Sequence, residues 1–218
     1  MARQERAVRT RRAVLEAAAE VFAEHGYAAA TVADILARAG VTKGALYFHF
    51  DSKEALARGV LEEQAAHYLL PQELKLQEWV DSGLTLAHRL PQDAMLRAGA
   101  RLSTDLRGLE EYGTAFPLWT QFSATVLIEA QRRGEVLPHV DPKETAELMV
   151  SAFHGVQLYS QVTTGWADVE QRVCVLFRHV LPTIAAPALL SRIDITPDRG
   201  ARVVAEAKRM QAPPLTVS

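Results

Sequence analysis

Cysteine is almost absent. Cys174 stands alone among 218 residues and cannot close an internal disulfide, so nothing requires an oxidising compartment. No apolar run approaches the roughly 18 residues that a membrane-spanning helix needs, and no apolar signal core follows the basic stretch MARQERAVRTRR, so a cytoplasmic protein with no membrane partner is expected. Catalytic signatures are missing as well. The seven histidines are never closer than fifteen residues, His139 to His154, which leaves no i, i+4 pair for a metal on any helix. There is no G-x-S-x-G elbow. Gly108 and Gly113 have phosphate-loop spacing, but no lysine follows the second glycine and no strand precedes the first. Cys174, among Val173, Leu176 and Phe177, reads as a core thiol rather than a nucleophile. We therefore expect no enzyme, no metal and no cofactor. Strand-like alternation is lacking too, which points to an all-α fold.

What is present is the composition of an ordinary soluble chain, 49% hydrophobic and 23% charged, of a size for one large domain or one small and one medium. The net charge of −2 hides an asymmetry. Residues 1–60 carry nine Lys/Arg against seven Asp/Glu, whereas the remainder carries 15 against 19. Arg3, Arg6, Arg9, Arg11 and Arg12 crowd the first twelve residues, an arm suited to a phosphate backbone.

Apolar spacing predicts a first helix over about 8–25, with Val14, Ala18, Val21 and Phe22 inward and Gly26 as its stop. Thr31 reads as the N-cap of a second helix, with Asp34 completing an imperfect capping box and Val32, Ile35 and Leu36 buried. That helix ends at Gly40. Thr42 caps a very short third helix through about Phe48. Ser52 caps a fourth, with Leu56, Val60 and Leu61 inward and Pro71 closing it. Further helices are read at 74–89, 93–105, 116–133, 143–164, 168–184 and 197–210, with a mobile loop at Arg107–Ala115.

The segment Thr31–Leu56, TVADILARAGVTKGALYFHFDSKEAL, has the length and turn chemistry of a helix-turn-helix. Gly40 can take the left-handed conformation its turn needs. Gly44 sits inside a short helix, where glycine costs about 1 kcal/mol relative to alanine. Tyr47, Phe48, His49 and Phe50 follow one another and sweep most of the helix circumference, so at least one aromatic faces outward. An exposed aromatic, bare backbone at Gly44, Lys43 and the Thr42 hydroxyl suit DNA: Thr42 for phosphate, Lys43 for a guanine edge or a phosphate.

AGVTKGALYFHFDSKEAL resembles the recognition segment of the TetR family of repressors, and VTKGALYFHF is similar to its γ-butyrolactone receptor branch. MARQERAVRTR, MLRAGARLS and HGVQLYSQVTTGWADVEQRV extend the likeness over roughly residues 1–185. The resemblance implies a homodimeric repressor with a three-helix DNA-binding head (1–52), a helical ligand-binding and dimerisation domain (53–210) and a disordered tail (211–218). Carried over by position, operator DNA is met by Thr31, Thr42, Lys43, Gly44, Tyr47, His49 and Lys53. Of these, Tyr47, His49 and Lys53 touch phosphates, while Lys43 and Gly44 lie against base edges.

The same resemblance places Trp119, in FPLWTQF, on the wall of an effector cavity and Gln64 at its head-proximal end. On the helix at 143–164, Leu148, Ala152, Val156 and Tyr159 form an apolar stripe for subunit or core packing. Phe153, Gln157, Ser160 and Thr164 form a semi-polar one, with Thr163 beside it, able to hydrogen-bond a lactone or to sit at a dimer seam. Between Leu84 and Ala130 the acids are Asp93, Asp105, Glu110, Glu111 and Glu129, mostly at helix starts or in the loop, which favours a neutral γ-butyrolactone-like small-molecule effector over a dication. A drug-efflux regulator and a pseudo-receptor answering to an antibiotic are the alternatives.

Overall fold

A computed structural model describes residues 2–64, 70–105 and 109–211. Among these residues there is no strand, only an isolated bridge between Val136 and Ala185. The helices are α1 (Ala2–Ala29), α2 (Val32–Ala39), α3 (Lys43–Tyr47), α4 (Lys53–Glu63), α5 (Lys75–Arg89), α6 (Ala94–Leu102), α7 (Leu109–Tyr112), α8 (Phe116–Arg132), α9 (Pro142–Thr164), α10 (Val169–Ile184) and α11 (Arg199–Gln211), with a 3-10 helix at Pro187–Arg192. They group into two compact units.

The first unit holds α1–α4 with α6 and α7. Its core is the predicted stripe of α1 (Val14, Ala18, Val21, Phe22), joined by Ile35, Leu46, Phe50, Leu56 and Val60. On α2 only Ile35 is fully buried; Val32 and Leu36, which share its face, are half-exposed. Gly59 lets α4 approach α1, since a Cβ there would stand 2.8 Å from Leu15 Cδ2.

Two departures from the sequence reading concern α1. The helix starts at Ala2 rather than near Val8, so the basic arm is itself helical. Gly26 breaks the helix instead of ending it: at φ 74° and ψ 172° it bends the chain, and helix resumes to Ala29. The expected loop at Arg107–Ala115 contains the single turn α7, and Tyr112 is buried; residues 107–108 lie outside the described residues. So do 65–69, near the predicted end of α4, and 212–218, most of the expected tail; Gln211 closes α11.

The second unit holds α5, most of α8, α9–α11 and the 3-10 helix. Leu76, Trp79, Val80 and Leu84 of α5 meet Leu127, Val173, Phe177 and Leu181 in its core. Trp79 donates its indole N–H to Ser123 Oγ at 2.6 Å and meets the Phe177 ring edge-on at 5.3 Å. Asp81, buried on α5, accepts a two-pronged bond from the Arg199 guanidinium, which fastens α11 to α5.

Candidate nucleic-acid interface and effector region

Three local caps set out the first unit's helix-turn-helix. Thr31 Oγ1 accepts the Asp34 N–H at 3.1 Å, while the Asp34 carboxylate accepts the Thr31 N–H at 3.2 Å and its hydroxyl at 2.6 Å. The capping box is thus complete, and these bonds hold the Asp34 carboxyl below its ordinary range, the Thr31 hydroxyl first among the causes. Gly40 ends α2 in the left-handed conformation, φ 64° and ψ 29°, with its N–H on Leu36 O. Thr42 and Ser52 accept the N–H groups of Ala45 and Ala55 and so start α3 and α4.

Leu46 of α3 and Phe50, in the turn just past its end, point into the core about one turn apart, and that fixes what the segment presents. Thr42, Lys43 and Gly44 are exposed, and no atom lies within 4 Å of where a Gly44 side chain would begin. Tyr47 is 40% exposed, with the Lys43 ammonium 5.8 Å from its ring centroid. Phe48 is 79% exposed, the furthest outward of the four aromatics, and packs edge-on against half-buried His49. Phe48 was not among the residues picked from the sequence. The signal was there: a residue two places from both Leu46 and Phe50 points about 200° away from their shared face.

Lys53 is only half-exposed. Its ammonium donates to Ala30 O at 2.8 Å and lies 4.4 Å from the Tyr27 ring centroid. The other two protons of the ammonium can reach other acceptors. Thr31 is exposed at the start of α2.

The residues picked for the ligand fall into different surroundings. Gln64, at the end of α4, is buried in the first unit with its carboxamide laid over Gly99 of α6. Trp119, on α8, is half-buried in the second unit. Gln157 is buried on α9 with Nε2 3.0 Å from His154 Nδ1, and burial pushes the His154 pKa down. Ser160 is fully buried, and its hydroxyl donates to Asp168 Oδ1 at 2.6 Å. Thr164 bonds the same carboxylate at 2.9 Å. Arg172 completes this cluster and, ahead of Ser160 and Thr164, holds the Asp168 carboxyl far below its ordinary range. Ser160 and Thr164 thus tie the end of α9 to the start of α10, and Thr163 is exposed with its hydroxyl on Tyr159 O.

The apolar stripe of α9 faces outward. Leu148 is 63% exposed and Val162 77%. Ala152, Val156 and Tyr159 line an open groove of ≈ 570 Å³ with Arg172, Val175 and Leu176 of α10. Arg172 stacks on Tyr159, 4.6 Å from its ring centroid.

Residues 14–60 match the family described as bacterial regulatory proteins, tetR family. The A-factor receptor protein of Streptomyces griseus is 41% identical over 227 residues, covering 95% of this chain and 81% of that protein. The crystal structure of TylP, a TetR regulator from Streptomyces fradiae, superposes with a TM-score of 0.88 at 42% identity, over 98% of this chain and 96% of that one. That of a γ-butyrolactone receptor (ArpA-like protein) superposes at 0.61 with 26% identity, over 94% and 97%. With the capped helix-turn-helix falling inside the matched segment and the likeness running the length of the chain, the protein belongs to the TetR family of bacterial regulatory proteins, in its γ-butyrolactone receptor branch.

Proposed function

We propose that this chain is a transcriptional repressor that binds a near-palindromic operator as a homodimer and releases it when a small, neutral γ-butyrolactone-like molecule binds. The observation that carries the reading is α3: with Leu46 and Phe50 anchored in the core, Lys43, Gly44 and Tyr47 are left bare. Lys43 and the Gly44 backbone read base edges; Thr31, Thr42, Tyr47, His49 and Lys53 hold phosphates. Residues 1–52 form the DNA-binding domain and 53–210 the ligand-binding and dimerisation domain. The exposed apolar residues of α9, with the groove beside them, support a second copy as the partner of that face, because a contiguous apolar surface of this kind is costly to leave in water.

For the ligand, the kinship with an A-factor receptor and a γ-butyrolactone receptor supports a lactone. Trp119 is the proposed wall of the site and Gln157 its amide donor; Gln64, buried over Gly99 in the first unit, is a weaker candidate. Ser160, Thr163 and Thr164 are weaker candidates, since Ser160 and Thr164 already serve Asp168 and Thr163 its own helix. Release follows from linkage: a ligand that prefers the DNA-incompetent state weakens DNA binding by the same factor by which DNA weakens its own. The test is a gel-shift titration of the dimer on operator duplex, with γ-butyrolactones of several chain lengths added in turn. Release by a lactone supports the reading; release only by cationic drugs or antibiotics replaces it with an efflux regulator or a pseudo-receptor.

A further inference from the structure

The break in α1 at Gly26 is gripped on both sides by residues of α6 and α7, all within the first unit. Before the break, Arg101 Nη1 donates to the carbonyls of Ala23 and Glu24, each at 2.9 Å. The guanidinium lies over Gly26 itself, where a Cβ would stand 3.0 Å from Arg101 Nε. After the break, the Tyr27 ring sits 4.5 Å from that of Tyr112, whose hydroxyl donates to Leu102 O at 3.1 Å and so fastens α7 to the end of α6.

The other contacts of Tyr27 lead to the DNA-facing end of α4. Its hydroxyl donates to Glu54 Oε1 at 3.0 Å, and the Lys53 ammonium lies against its ring while bonding Ala30 O, three residues further along the same segment. Segment 27–30 is therefore the seat of Lys53, and Arg101 and Tyr112 decide where that seat stands. A lysine free in solvent gives up its rotamers when it meets a phosphate, and one already held does not.

We infer that Arg101 and Tyr112 are positioning residues for operator binding, which through Tyr27 hold the Lys53 ammonium ready for a DNA phosphate. This rests on the reading of Lys53 as a phosphate contact. Operator affinity of the full-length dimer is measured by fluorescence anisotropy across a salt series for Lys53→Ala, Arg101→Gln, Tyr112→Phe and the two double variants with Lys53→Ala. Lys53→Ala is expected to lower the salt slope by about one unit. Arg101→Gln and Tyr112→Phe are expected to weaken binding by roughly fivefold, about the effect of one hydrogen bond, and to lower the slope in the same direction. Combined with Lys53→Ala they add less than twofold, because they act through the residue already removed. Tyr112→Phe keeps the ring in place and decides the matter if Arg101→Gln fails to fold. Losses that multiply in the double variants, with wild-type slopes in the Arg101 and Tyr112 single variants, overturn the inference and leave the Lys53 reading standing. An unchanged slope in Lys53→Ala overturns both.

Discussion

The Gln64 carboxamide occupies the space that a side chain on Gly99 would need, so a Cβ at residue 99 forces that amide to move. Gln64 is itself buried, which leaves it little room to withdraw. Gly99→Ala is therefore expected to destabilise the protein by about 1–3 kcal/mol, as overpacking does, despite the helix propensity that alanine adds. Urea unfolding checks it. An unchanged or higher midpoint would show that the amide has somewhere else to go.

Gly44 behaves in the opposite way. Nothing stands within 4 Å of its missing side chain, so Gly44→Leu should keep or slightly raise thermal stability while operator affinity collapses, because the added side chain fills the space the DNA backbone or base edge must enter. A gel shift on the folded variant decides. Unchanged binding would place Gly44 outside the contact.

Trp119→Ala should bind operator with wild-type affinity yet fail to release it on addition of lactone, a constitutive repressor. The measurement is DNA release against lactone concentration for both proteins. Release at the wild-type concentration would make Trp119 a packing residue and move the pocket elsewhere.

Val162, exposed on α9 beside the groove, gives a direct test of self-association. Val162→Asp puts a charge on the proposed seam, where burying it unpaired is unfavourable. Sedimentation should show the dimer shifting to monomer at micromolar concentration, with operator affinity falling alongside. A variant that remains fully dimeric would rule out this face as the interface.

The Asp168 cluster predicts a pH dependence. The carboxyl is held below its ordinary value of 3.8, with Arg172 first among the causes. The stability it contributes is then fully present above that ordinary value and is lost as pH falls through the depressed one. Asp168→Asn should melt below wild type at pH 7, and the gap should narrow as pH falls below about 4, where the carboxyl of the unfolded wild-type chain takes up its proton while the folded one is still ionised. A gap independent of pH would mean that the asparagine disturbs packing rather than charge. The modest size expected follows from the solvent exposure of the pair.

What the sequence determined by itself was whatever is settled within one helical turn. The caps at Thr31, Thr42 and Ser52 each bond a backbone amide three residues on, and Gly40 turns through its own φ. The predicted helices at 74–89, 116–133, 143–164 and 168–184 match α5, α8, α9 and α10 to within a residue or two for the same reason. The family likeness was legible because the recognition segment is short and continuous.

Tertiary structure decided the rest. At Gly26 the sequence shows a helix stop, but helix resumes beyond the break, where Arg101, far along the chain, binds the carbonyls before it. RGLEEYGTA reads as a loop by composition, yet Tyr112 is buried because the Tyr27 ring and Leu102 O supply a partner for each end of its side chain. Ser160 and Thr164 read as ligand donors until α10 brings Asp168 to them. On α9 the helical period gives two stripes of equal merit, and only the packing of its neighbours settled which one stays open to water. Periodicity fixes which side chains share a face; whether that face is covered depends on partners that local sequence does not name.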